Sequence, residues 1–333
     1  MRIGIVTPAP PGSRYGNRIT ALRWARILRR LGNRVSTSQT YDGQSYDLLV
    51  ALHARRSHRS IIGFRRDNPE APIIVALTGT DLYRDIRSDQ RARKSLDIAT
   101  RILALQPNAI GELQPKLRWK TRVIYQSVEE MREPGGRIGT AKKKASKPQL
   151  KGQSNRSFDL CVIGHLRSVK DPFRTAMAAR KLPDSSRIRV LQIGGAMTEA
   201  MAGRARREMR INQRYEWLGE QPRSQVRRIL EKSQLCVLSS RMEGGANVLS
   251  EAIVASVPIL ASRIDGNVGV LGADYPGYFG VGDTEQLAEM LTRAETCPEY
   301  LAELRMRVKN LASRFSPARE QEAWADLLGE LYG

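Results

Sequence analysis

Two carboxylates, Glu243 and Glu251, stand eight positions apart across the turn Glu243-Gly244-Gly245-Ala246-Asn247-Val248-Leu249-Ser250-Glu251. An apolar run, Leu235 to Ser240, precedes the turn. Ala252 to Ser256 and then Pro258 to Ser262 follow it. The order reads as strand, turn, helix, strand. In an open α/β sheet a ligand sits in the crevice beyond the carboxyl ends of the strands, so the turn falls where a ligand would lie. Free N–H groups from Asn247 onward suit a phosphate at the start of the helix. Two carboxylates beside a phosphate site suit a ligand with hydroxyls as well as anionic oxygens, a description that a nucleotide sugar meets. Short spacings of this kind recur by chance, so the surrounding elements matter as much as the turn.

Those elements alternate. In the first half, strand-like runs fall at Ile3 to Thr7, Arg34 to Ser38, Asp47 to Leu52, Ile73 to Thr78, Arg101 to Leu105 and Arg122 to Tyr125, with a helix from Asn17 to Leu31. That pattern predicts a mainly parallel sheet with helices on both faces. Arg132 to Arg156 breaks it, with eight Lys or Arg, one Glu, four Gly, two Pro and no apolar period. This stretch reads as a solvated linker, since a nucleic-acid segment would be expected to interleave aromatics with its basic residues. A second α/β unit follows, with strands at Asp159 to Ile163, Arg189 to Ile193, Leu235 to Ser239, Pro258 to Ala261 and Tyr278 to Val281. Helices are expected at Thr284 to Ala294, at Pro298 to Ser313 and after Pro317, the last with Trp324, Leu327, Leu328 and Leu331 on one face. The expected division is a domain over 1–131, a basic linker over 132–156, a second domain over 157–315, and a terminal helix over 316–333.

At 333 residues and 41% hydrophobic content, two globular domains are expected. The net charge of +21 attracts anions of any kind: nucleic acid, acidic lipid or phosphorylated small molecules. Cys161, Cys236 and Cys297 are far apart in sequence and read as small buried residues. His53, His58 and His165 show no metal-ligand spacing. No apolar run is long enough to span a bilayer, and the chain opens directly on a strand. A cytoplasmic protein without stable membrane insertion is the expectation.

The second half resembles the nucleotide-sugar glycosyltransferases of the GT-B fold, in particular family 4. The likeness rests on Val162-Ile163-Gly164-His165-Leu166-Arg167-Ser168-Val169-Lys170, on Trp217-Leu218-Gly219, on the Glu243 to Glu251 turn, and on Val257-Pro258-Ile259-Leu260-Ala261-Ser262. The resemblance implies two Rossmann-like domains facing a central cleft, with the C-terminal helix returning to the first. It implies that Glu243 grips donor-sugar hydroxyls and Glu251 the ribose, with Gly244, Gly245, Ala246, Asn247 and Val248 lining the sugar and diphosphate. The family commonly places Arg after the first glycine and Lys five positions later, both on the diphosphate. Lys170 matches. His165 stands at the Arg position, and Arg167 is near enough to supply the charge.

A narrower resemblance covers nearly the whole chain outside the linker. Pro8-Ala9-Pro10-Pro11-Gly12-Ser13-Arg14-Tyr15-Gly16-Asn17-Arg18, Leu77-Thr78-Gly79-Thr80-Asp81, Gly164 to Lys170 and Lys170-Asp171-Pro172 look like the selenosugar synthases of selenoneine biosynthesis. Those enzymes move N-acetylglucosamine from UDP onto selenophosphate. The resemblance implies UDP-N-acetylglucosamine and selenophosphate as substrates, and a link to one enzyme that supplies selenophosphate and another that forms selenoneine.

Selenophosphate already carries an anionic, soft and nucleophilic selenium, so its attack requires no general base. What it requires is cations and amide donors that hold one anion against another. The first loop fits that need. Gly12 and Gly16 let backbone approach an anion, Ser13 lies between them, Asn17 reads as the helix N-cap, and Arg14 and Arg18 add charge. Arg23, Arg26, Arg29 and Arg30 read as the wet face of the same helix. Thr78 and Thr80 follow a strand at the crevice edge and are expected to bind the acceptor, and relatives often carry His where Thr78 stands. Asp81 reads as a cap of the next helix. His53, at a strand end near the crevice, is a candidate acceptor-binding residue as well as a structural histidine. No Asp-x-Asp pair marks a metal–diphosphate anchor, so neither metal nor other cofactor is expected. The rival readings are transfer of a sugar to a lipid or other small acceptor at an anionic membrane surface, motivated by the basic first helix and Arg55, Arg56, Arg59, Arg65 and Arg66, and nucleic-acid binding, motivated by charge alone.

Overall fold

The computed structural model describes residues 1–129 and 157–333. The expected 132–156 linker lies outside them. Among the described residues, twelve strands form two wholly parallel sheets of six. The first contains β1 (Arg2–Val6), β2 (Arg34–Ser38), β3 (Leu48–Leu52), β4 (Ile73–Ala76), β5 (Arg101–Ala104) and β6 (Thr121–Val123), in the order β2-β1-β3-β4-β5-β6. The second contains β7 (Phe158–Ile163), β8 (Ile188–Ile193), β9 (Tyr215–Trp217), β10 (Leu235–Leu238), β11 (Ile259–Ser262) and β12 (Tyr278–Phe279), in the order β12-β11-β10-β7-β8-β9. β3 and β4 are buried along their whole length, as strands covered by helices on both faces must be.

Eleven of the twelve strands match the sequence reading to within a residue or two. β9 is the omission. It is three residues long with two polar-tipped aromatics, too short to show a period of two.

The order reverses once in each sheet, between β1 and β3 in the first and between β7 and β10 in the second. These switch points open a crevice at the carboxyl ends of the strands. The two carboxyl edges face each other. A Cβ built on Gly244, after β10, would lie 2.6 Å from the carbonyl carbon of Thr78, after β4. A Cβ on Gly245 would lie 2.6 Å from the Leu105 Cβ, after β5. Glycine at both positions is what lets the two backbones touch.

Three helices position the site: α1 (Gly16–Arg30), α2 (Asn247–Val254) and α3 (Pro317–Tyr332). α3 packs against the first sheet although it follows the second in sequence. Trp324, Leu327 and Leu328 join Trp24, Leu28, Ile3 and Ile5 in one buried cluster, with Trp24 and Trp324 edge to face at 5.2 Å. No helix of the described residues is long and apolar enough to cross a membrane.

Candidate functional site

The β7–β10 switch point holds a small pocket lined by Val162, Ile163, Gly164, Lys170, Ser239, Ser240 and Val248, among others. Glu243 is buried beside it, and its Oε1 accepts hydrogen bonds from the Lys170 ammonium and from the Ser240 hydroxyl at 2.6 Å. Lys170 and Glu243, named separately from sequence, are therefore ion-paired partners. The chain reaches Lys170 by a sharp turn. Ser168–Lys170 is a single 3-10 turn, and Asp171 after it is left-handed at φ 42°.

α2 starts at Asn247 with Ala246 as its cap residue and no side-chain cap bond. Its first amides thus have no side-chain partner, and an anion is favoured at such a helix start. Val248 is buried and lines the pocket. Glu251, one turn along, has its nearest cation in Arg223 at 3.9 Å. Burial raises its carboxyl above the ordinary value, and Arg223, Arg23 and Arg227 pull it back in part. His165 is half-buried and meets Tyr15 of the first half edge to face at 5.4 Å. Arg167 is exposed on the rim, and its side chain bonds to no other described residue.

The opposite wall comes from the loop after β1. Gly12 has φ 76° and lies in the turn where the Ser13 N–H and hydroxyl both bond the Pro10 carbonyl. Two expectations for this wall need correction. Asn17 does not cap α1, because the helix begins one residue earlier, with Tyr15 in the cap position and no side-chain cap bond. Arg14 is not a free cation. Its Nη1 donates to the Gln221 carbonyl at 2.8 Å and its Nε lies 3.6 Å from Glu220, so it bridges the halves. Arg18 is different. Its Nε and Nη1 are shielded from solvent and bond to nothing among the described residues. Buried cationic donors without partners are costly.

His53 ends β3 at φ 74° and is buried, with Nε2 at 3.1 Å from the Thr80 hydroxyl. Asp81 and Asp85 lie 3.9 Å from its two ring nitrogens. Desolvation still dominates, holding the imidazole below its ordinary pKa and therefore neutral near pH 7. Asp81 is not a helix cap either. Its Oδ1 takes the N–H groups of Thr78 and Gly79, and its Oδ2 takes that of Ala54, so it ties the β3 and β4 loops together. Cys161 and Cys236, distant in sequence, are buried neighbours in register on β7 and β10.

The largest correction concerns Arg23. It is not on the wet face of α1 but 4% exposed, with its guanidinium bonded to Glu320, Asn247 and Gln126. The signal was present in the sequence. Arg23 lies three residues after Thr20 and four before Ile27, on the same face as both. Gln126 and Glu320 had no such signal, since each sits in a segment whose partner is remote in sequence.

The family profile of Glycosyl transferases group 1 matches residues 143–314, just over half of the chain. No curated protein sequence matches it significantly. Among solved structures the chain is similar to Alr3699/HepE of Anabaena in complex with UDP and glucose, at 15% identity and TM-score 0.74, covering 99% of this chain and 100% of that one. It is similar to the sucrose-phosphate synthase of Thermosynechococcus elongatus at 13% identity and TM-score 0.73, covering 99% of each. It is also similar to a glycosyltransferase of Rickettsia africae at 12% identity and TM-score 0.72, covering 99% and 98%. The shared architecture is the GT-B fold, two Rossmann-like units about a cleft.

Proposed function

The chain belongs to the group 1 glycosyl transferases, and we propose that it transfers N-acetylglucosamine from UDP to selenophosphate. The observation that carries the donor half of this reading is the meeting of Glu243, Lys170 and the first turn of α2 at one switch point. Support for UDP comes from the similar fold of Alr3699/HepE, which holds UDP and glucose. Support for the acceptor comes from the selenosugar-synthase resemblance of the first loop and from Arg18, whose shielded donors lack an anion.

In this mechanism the diphosphate lies against the α2 amides and the Lys170 ammonium, which turns from Glu243 toward the bound anion. Glu243 then accepts hydrogen bonds from sugar hydroxyls, and Glu251 from the ribose. Selenium attacks the anomeric carbon as a C–Se bond forms. The C–O bond to UDP breaks, and UDP departs with the electron pair. No proton is removed from the acceptor, so no general base is assigned. Side-chain cations and amides are assigned to the leaving diphosphate.

The test is UDP release from UDP-N-acetylglucosamine with and without selenophosphate, in the presence and absence of EDTA. Selenophosphate-dependent release unaffected by EDTA is expected. Release only with a different acceptor would overturn the acceptor assignment and leave the transferase reading standing. Loss of release with EDTA would overturn the side-chain assignment for the diphosphate.

A further inference from the structure

We propose that Arg23 is a positioning residue of the donor turn, a three-way tie that sets Asn247 and Gly245 only when the two halves are closed. The inference rests on the donor reading above. Each nitrogen of the guanidinium goes to a different segment. Nε donates to Glu320 Oε1 at 3.2 Å, Nη1 to Asn247 Oδ1 at 3.0 Å, and Nη2 to Gln126 Oε1 at 2.6 Å. Only a planar fork can serve three acceptors so placed.

One side of the tie is fixed. Glu320 belongs to α3, and its oxygens are further saturated by the Trp24 indole N–H at 2.8 Å, the Ser127 N–H at 2.9 Å and the Ser127 hydroxyl. All of these belong to the first sheet's core or to the helix packed on it. The other side is releasable. Asn247 opens α2 of the second half, and the Gln126 Nε2 donates to the Gly245 carbonyl at 2.6 Å, inside the donor turn. The Gln126 amide has no freedom to flip, since Thr20 and Arg23 both donate to its oxygen. Separating the halves breaks the bonds to Asn247 and Gly245 and leaves the Glu320 anchor whole.

A buried ion pair is seldom retained for stability alone, because apolar residues of similar volume usually serve as well. Here the pair faces the turn that carries Glu243 and the first amides of α2. The tie therefore transmits the position of the first half to the donor site.

The test compares wild type, Arg23→Met/Glu320→Gln, which removes both charges, and Asn247→Ala, which cuts only the direct arm. UDP affinity is measured by calorimetry and the radius of gyration by solution X-ray scattering, each beside a melting curve. Both variants are expected to bind UDP about tenfold more weakly or worse, and the double variant to be more expanded than wild type. Asn247→Ala leaves the Nη1 donor of Arg23 without its acceptor, so a modest fall in melting temperature is expected beside the loss of affinity. UDP affinity within about twofold of wild type, with unchanged scattering, overturns the proposal. If the double variant does not fold, Arg23→Lys decides by the same affinity criterion, since it keeps the charge and loses the fork. If wild type binds no UDP, the donor reading fails instead; expansion of the double variant then supports the tie, and unchanged scattering overturns it.

Discussion

The Lys170 ammonium and the Ser240 hydroxyl both donate to the same oxygen of Glu243. The cation and the carboxylate satisfy each other, and the proposed mechanism gives each a separate task. Glu243→Gln keeps the Ser240 bond and the side-chain volume while removing the charge. Turnover is expected to fall about 10²-fold, with a smaller change in UDP affinity. Equal losses in both would place Glu243 on the nucleotide rather than on the sugar.

Glu251 gives a pH signature. Its carboxyl is raised above 4.5, first by burial. UDP affinity should therefore decline as pH falls toward that raised value, at a higher pH than an ordinary glutamate would produce. Glu251→Gln should flatten the profile, and Glu251→Ala should weaken UDP binding about tenfold. For folding the sign is opposite. A raised carboxyl favours the native state below 4.5 and loses that contribution as pH rises, so Glu251→Gln should melt slightly higher than wild type at neutral pH. Unaltered kinetics in Glu251→Ala would remove it from the ribose.

His53 predicts an acid-side loss. Its pKa is lowered from 6.5, mainly by desolvation, with Asp81 and Asp85 opposing the shift. The unfolded chain then binds the extra proton first. The stability from a neutral His53 is present above 6.5 and is lost as pH falls below it. His53→Asn tolerates the left-handed backbone and removes the titration. Melting curves between about pH 7 and pH 5 should be flatter for the variant. His58, also lowered by burial, leaves a remainder in both proteins.

Arg18→Ala separates acceptor from donor. The side chain has shielded donors without partners, so its loss costs no native hydrogen bond at those atoms. The KM for selenophosphate should rise about tenfold, UDP affinity should stay within about twofold, and the melting temperature should hold or rise. A loss of UDP affinity instead would move Arg18 to the diphosphate.

Gly244→Ala tests closure. The added methyl would meet the Thr78 carbonyl carbon at 2.6 Å and oxygen at 2.8 Å, both backbone atoms that cannot swing aside. The halves must part, and a shift near 1 Å can cost about 10²-fold in rate. Circular dichroism should be unchanged while kcat/KM falls by that order. Wild-type kinetics would mean that the contact is not needed for turnover.

How far the sequence carries can be read from single residues. The strands were legible because parallel strands covered on both faces are continuous apolar runs, and Ile73 to Ala76 is one. The positions of Glu243 and Lys170 follow from the loops after two strands, β10 and β7, and that of Val248 from the start of α2, where local pattern fixes position. The pairing of Arg14 is not legible in the sequence, because its partners, Glu220 and Gln221, are some two hundred residues away and belong to the other half. Asn17 lies two residues past the cap position at Tyr15, the scale on which helix ends are least well fixed by sequence. Arg23 departs from the solvated face that its charge suggests because its position puts it on the buried face of α1.

The crossing of α3 back onto the first sheet carries a cost in time. Trp24 waits for Trp324, some 300 residues later on the nascent chain, and at ordinary translation speeds that delay is roughly 15–60 s. During it the indole of Trp24 and the carboxylate's future anchor points at Ser127 lack their cover. The amino-terminal half therefore leaves the ribosome as an incomplete folding unit, exposed to chaperones or to aggregation until the last helix emerges to seal it.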